Sequence, residues 1–121
     1  MILVDTSVWV DHLRTGNRKL ASLLDDDQVL RHSFVIGELA CGSLRNRAEV
    51  MALLEALPEA EMAEHREVLE FVERERLYGR GIGWVDAHLL AAARLAGAAL
   101  WTLDRPLLQV ASALAIATAS F

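Results

Sequence analysis

Short apolar runs alternate with amphipathic helical segments along this chain, and that alternation restricts its fold more than any other feature. Ile2–Val4, Gln28–His32, Ala98–Leu103 and Leu114–Thr118 read as short strands, with Glu59–Ala63 as a weaker one. Thr6 and Ser7 offer hydroxyls to cap a helix over Val8–Leu13, which Gly16-Asn17 breaks. Leu20, Leu23 and Leu24 form the apolar stripe of a second short helix, closed by Asp25-Asp26-Asp27 as a solvated turn. Ser33 is placed to cap a helix through Cys41, and Val50, Leu53, Leu54 and Leu57 keep helical spacing up to Pro58. His65–Tyr78 follows, with Val68, Leu69 and Val72 predicted inward. Gly79–Gly83 is a flexible joint, Ala87–Ala96 is apolar nearly all round and so predicted buried, and Arg105–Val110 is a last short helix. Strands separated by helices imply a parallel sheet with right-handed crossovers. The expected fold class is α/β, a small parallel sheet of four to five strands wrapped by helices in three layers. A length of 121 residues fits one domain over 1–121.

Acidic residues fall at one edge of such a sheet. Asp5 follows the first strand and Asp104 the strand ending at Leu103, while Glu38 and Asp86 sit early in helices running back from the same edge. Sites in open parallel sheets form beyond the carboxyl ends of the strands. Carboxylates that converge there repel one another unless cations offset the charge, and hard divalent ions such as Mg²⁺ or Mn²⁺ take oxygen ligands. The set therefore points to metal-assisted phosphodiester chemistry. Each residue alone has a plainer reading. Asp86 can cap its helix, Asp104 can shape the turn before Arg105-Pro106, and Glu38 can be an ordinary exposed glutamate. Asp5 resists that treatment, because a carboxylate after a buried strand needs partners. His12, His32, His65 and His88 show no ligand spacing, and His88 should point away from Asp86 on their shared helix.

Composition narrows the setting. A hydrophobic share of 54% and mean hydropathy of +0.28 leave apolar surface over after folding, which predicts a homodimer or a protein partner. The single cysteine, Cys41, excludes an internal disulfide and reads as a small buried hydrophobe. No basic leader precedes the first apolar run and no run is long enough to span a bilayer, so a cytoplasmic location is expected. The net charge of −5 argues against nonspecific nucleic-acid binding. Lys19 is the only lysine, and the arginines suit bidentate phosphate contacts. Arg14, Arg18, Lys19, Arg45, Arg47 and Arg80 are the candidate phosphate contacts, their plainer role being solvated helix faces.

Val4-Asp5-Thr6-Ser7-Val8-Trp9, then Glu38-Leu39, then Trp84-Val85-Asp86-Ala87-His88, then Thr102-Leu103-Asp104 resembles the PIN-domain nucleases, and more narrowly the VapC-type ribonuclease toxins of toxin–antitoxin pairs. The likeness runs over the whole chain in order and spacing. It implies Mg²⁺- or Mn²⁺-dependent RNA cleavage, with Asp5, Glu38, Asp86 and Asp104 at the family's acidic, metal-binding positions. It also implies supporting hydroxyls at Thr6, Ser7 and Thr102, dimerisation, and silencing by a small cognate antitoxin. Arg105-Pro106-Leu107 stands where some relatives carry a further acid, which weakens the case for a second ion. A phosphoacceptor receiver domain would need a lysine near the late strands, and a haloacid-type phosphatase a second aspartate two residues past Asp5; neither is present. The remaining alternative is a non-catalytic α/β interaction module whose acids are caps and turns.

Overall fold

The computed structural model describes residues 1–119 and 121. Its elements run β1 (Ile2–Val4), α1 (Thr6–Thr15), α2 (Arg18–Asp25), β2 (Val29–Leu30), α3 (Ser33–Ala40), α4 (Arg47–Ala56), α5 (His65–Arg74), α6 (Trp84–Ala96), β3 (Ala99–Trp101) and α7 (Arg105–Ala113). The strands form a parallel sheet in the order β2-β1-β3. Leu3 of the central strand pairs with Leu30 on one side and Leu100 on the other. Leu3 and Val4 point to opposite faces and neither is exposed, so both faces of the sheet are covered. Among the described residues this sheet has three strands, fewer than the four to five expected. Glu59–Ala63 and Leu114–Thr118 are each reduced to one isolated parallel bridge, Arg31↔Glu59 and Leu100↔Thr118. The shortening has local causes. β2 offers only two residues for pairing, Pro58 has no N–H to give, and Ala115 takes a left-handed turn (φ 58°) just ahead of the final segment.

The helices settle onto this sheet through their apolar stripes. In α6, Ala87 to Ala93 are buried without a break, as its composition predicts. α5 buries Val68 and Phe71 but leaves Leu69 exposed, so Phe71 takes an inward place predicted for Leu69. Two caps differ from expectation. Thr6 and Ser7 lie inside α1 rather than ahead of it, because Asp5 is already the N-cap position. His32, not Ser33, caps α3, its Nδ1 accepting the Phe34 N–H at 3.0 Å. α3 ends at Ala40, which leaves Cys41 past the last buried turn and exposed, contrary to its predicted burial. No helix among the described residues is long and apolar enough to cross a membrane.

Candidate active site

The carboxyl edge of the sheet gathers the predicted acids, each fixed by a different local device. Asp5 is the residue after β1, and its N–H extends the ladder to the Trp101 carbonyl at 2.9 Å. Its side chain is buried, at 6% exposure, and a buried carboxylate must find donors. It finds two. The Ser7 and Thr102 hydroxyls both donate to Asp5 Oδ2 at 2.7 Å. Those hydroxyl oxygens in turn accept backbone N–H groups, Ser7 from Leu103 and Thr102 from Asp104, each at 3.0 Å. The network ties the end of β1 to the segment after β3, so Asp5 and Asp104 are held by one set of bonds. Thr6 donates to Glu38 Oε1 at 2.7 Å and tethers α1 to α3.

Asp86 and Asp104 do serve as helix-start acceptors. Asp86 Oδ2 receives the Gly83 N–H at 3.0 Å, and Asp104 Oδ2 receives the Leu107 N–H at 3.1 Å. The plainer reading of these residues is therefore true of one oxygen in each. Each of the four acids has one carboxylate oxygen engaged, by a backbone N–H in Asp86 and Asp104 and by hydroxyls in Asp5 and Glu38, and the second receives no hydrogen bond from the described residues. The loop leading to Asp86 is docked on the start of α7. Gly81 has φ +81°, and a Cβ there would come within 3.4 Å of Pro106. The contact itself is an ordinary one, and the positive φ is what favours glycine there.

Asp86 lies at the electrostatic centre of the group. Burial raises its pKa above the ordinary aspartate value, the Gly83 N–H opposes that rise, and the charges of Asp5, Asp104 and Glu38 add to it. All three other acids thus act on Asp86. They face one another without closing up: among the described residues no three acidic, histidine or cysteine side chains are drawn together tightly enough to grip an ion. The donor set, four carboxylates with a free oxygen each and no nitrogen or sulfur, suits a hard divalent cation. Thr102→Val should destabilise the protein by about 1–3 kcal/mol, since it removes a donor from buried Asp5 and an acceptor from Asp104 N–H. Urea unfolding at neutral pH measures it, and an unchanged midpoint would show that the network contributes nothing.

The predicted basic contacts do not form one patch. Arg14 and Arg45 line a cleft of about 480 Å³ that opens beside Thr6 and Glu38. Arg47 is turned away to structural work, bonding the Ala40 carbonyl at 2.6 Å and the Gly42 carbonyl at 3.3 Å at the end of α3. Lys19 stands 5.3 Å over the Phe121 ring. Arg80 is exposed on the joint that docks against Pro106, and Arg18 is exposed at the start of α2. Sequence reading missed the cleft's apolar walls. Val10 and Leu13, one helical turn apart on α1, were the available signal, because Val8 and Trp9 already supply that helix's buried face.

A parallel sheet sandwiched by helices, with acids from four separate segments at its carboxyl edge, defines the class: the chain belongs to the PIN-domain family, whose pattern matches residues 2–113. All four acids lie inside the match. At 51% identity over 108 residues, covering 88% of this chain and 87% of the other, the sequence is similar to Ribonuclease VapC32 of Mycobacterium tuberculosis. Two solved structures share the fold. FitAcB from Neisseria gonorrhoeae superposes with a TM-score of 0.67 at 18% identity, covering 99% of this chain and 97% of that one. PAE2754 from Pyrobaculum aerophilum gives 0.61 at 21% identity, covering 90% and 78%.

Proposed function

We propose that this chain is a metal-dependent endoribonuclease, the toxin of a toxin–antitoxin module, with residues 1–121 acting as one nuclease domain. The observation that carries the reading is Asp86 under the charge of three other carboxylates, each with an uncommitted oxygen, at the edge where parallel sheets bind ligands. The similarity to a ribonuclease over most of the chain supports it.

Asp5 and Asp86 would be the primary ligands of a divalent ion such as Mg²⁺ or Mn²⁺, and Glu38 and Asp104 would complete its shell or hold a water beside it. When bound, a divalent ion supplies Lewis-acid polarisation of a phosphoryl oxygen and a water acidic enough to attack phosphorus at neutral pH. The chain's own work is placement. Ser7 and Thr102 fix the Asp5 carboxylate, Thr6 fixes Glu38, and the Gly83 N–H fixes Asp86, so that little reorganisation is left for the reacting state. Arg14, Arg45 and Arg80 are the basic residues placed to meet the RNA backbone. Exposed Leu53, Leu69, Tyr78, Leu95 and Leu103 leave apolar surface for a second copy and for a cognate antitoxin. The setting is the cytoplasm, where RNA and antitoxin would both be met.

The test is direct. Purified protein with Mn²⁺ or Mg²⁺ should cut single-stranded RNA internally, and chelation should stop it. Thermal stability should rise on Mn²⁺ addition, by about 2.7 kcal/mol at a hundredfold excess over the dissociation constant. Protein that neither cuts RNA nor gains stability from the ion would return the chain to the class of non-catalytic interaction modules.

A further inference from the structure

We infer that the cleft between α1 and the α3–α4 loop is a nucleotide subsite, seating one unstacked base of the RNA strand while Arg14 and Arg45 grip a flanking phosphate. This rests on the nuclease reading and says how substrate is held next to it. The cleft, about 480 Å³, falls within the roughly 300–1,000 Å³ of small-ligand sites and shares Thr6 and Glu38 with the acidic edge. A strand whose scissile phosphate lies among the acids therefore has its neighbouring nucleotide at this mouth.

The two sides of the cleft supply both things a nucleotide needs. Val10 and Leu13 on α1 and Leu39 and Leu44 opposite give apolar walls to the flat face of a base. Arg14 stands on the first side and Arg45 on the second, both exposed. The ion pairs among the described residues use Arg31, Arg74 and Arg94, so these two guanidiniums are not committed to carboxylates. Their charge is out of keeping with a chain of net −5 and fits an anionic strand that must pass a wall of carboxylates. A planar fork on each side binds phosphate oxygens in pairs. Arg47 acts here as a positioning residue, since its bonds to Ala40 and Gly42 fix the start of the loop that carries Leu44 and Arg45. Single-stranded RNA is the substrate form this favours, because only an unstacked base can enter.

Asp5→Asn protein, which should not cut, allows binding to be read alone. The probes are a fluorescein-labelled decauridylate and the same ten-unit strand lacking its bases, titrated by anisotropy over a range of salt. Arg14→Ala with Arg45→Ala should weaken both probes and lower the log–log salt slope by about 0.7, the value for one phosphate on a single strand. Gly42→Leu narrows the cleft with an aliphatic group; a Cβ there meets only the Leu39 carbonyl, at an ordinary 3.5 Å. It should weaken decauridylate about tenfold, the loss of roughly one base face buried against aliphatic side chains, and leave the baseless strand unchanged. All three positions are exposed, so folding is not at stake. If the arginine variants keep the parent salt slope, or Gly42→Leu affects both probes alike or neither, the subsite is overturned and the cleft passes to a protein partner. Cleavage by the unsubstituted protein is read separately, so loss of the nuclease reading and loss of the subsite give different results.

Discussion

Asp5→Asn should lower the rate of RNA cleavage by about a thousandfold while leaving the protein as stable as before, or more so, in the absence of divalent ions. The loss follows from the several kcal/mol a catalytic cation contributes, at about 1.36 kcal/mol per factor of ten. Retained stability follows from the geometry. The substituted amide would still offer an oxygen to the Ser7 and Thr102 hydroxyls, which donate at 2.7 Å in the parent. The substitution also removes one of the three charges that raise the pKa of Asp86. An acid whose pKa is higher in the fold than in the unfolded chain costs stability as pH rises past the unfolded value, because its ionised form is disfavoured in the fold. Relieving that cost favours the variant at neutral pH. Added Mn²⁺ should then reverse the order, stabilising the parent and not Asp5→Asn. Melting curves with and without Mn²⁺, beside a cleavage assay, check all three parts. A variant that cuts at the parent rate would remove Asp5 from the chemistry.

The acidic edge is legible because its residues follow features that sequence displays well. Asp5 comes directly after a run of buried strand residues, and Asp86 opens a helix too apolar to lie anywhere but inside. What sequence does not display is the division of labour within each carboxylate. Cap and ligand stand as alternatives for Asp86 and Asp104 in the sequence, whereas in the fold one oxygen does the capping and the other is left over. The family likeness implies supporting hydroxyls at Thr6 and Ser7, but local pattern alone reads them as caps and does not say which acid each one serves. A hydroxyl at the start of a helix resembles a cap, and only tertiary pairing over 32 residues shows that Thr6 serves Glu38. Arg47 resembles its neighbour Arg45 until the end of α3 comes within its reach. The outer strands are overestimated because apolar runs report burial, and burial beside a sheet does not require a ladder.

Acid should unfold this protein earlier than its carboxylates alone would dictate, through His32. The imidazole is fully buried, and burial first, then the neighbouring His88, lowers its pKa from 6.5 to about 4, with Glu59 opposing. Its Nδ1 accepts the Phe34 N–H, so the neutral ring carries its proton on Nε2 and a second proton must displace the α3 cap. The charge would then stand at the positive end of the helix dipole. The sign is fixed by linkage. Above pH 6.5 both folded and unfolded chains keep the ring neutral and nothing is lost. From there down to about 4 the unfolded chain takes a proton that the folded chain refuses, so stability falls with pH; below that the loss is complete at about 3 kcal/mol. His88, also buried, with its pKa lowered by burial and by His65, adds in the same direction. His32→Asn supplies the isolating variant, because asparagine caps a helix well and does not titrate. It should be less stable at pH 7.5, having left a small cavity, yet lose less stability between pH 7.5 and 4.5 than the parent does. Urea unfolding of both proteins at the two pH values gives the comparison, in which acid-sensitive carboxylates cancel. Equal losses in the two proteins would mean that His32 accepts a proton in the fold without cost. The difference expected instead makes α3, and with it the placement of Glu38, dependent on a neutral ring in the core.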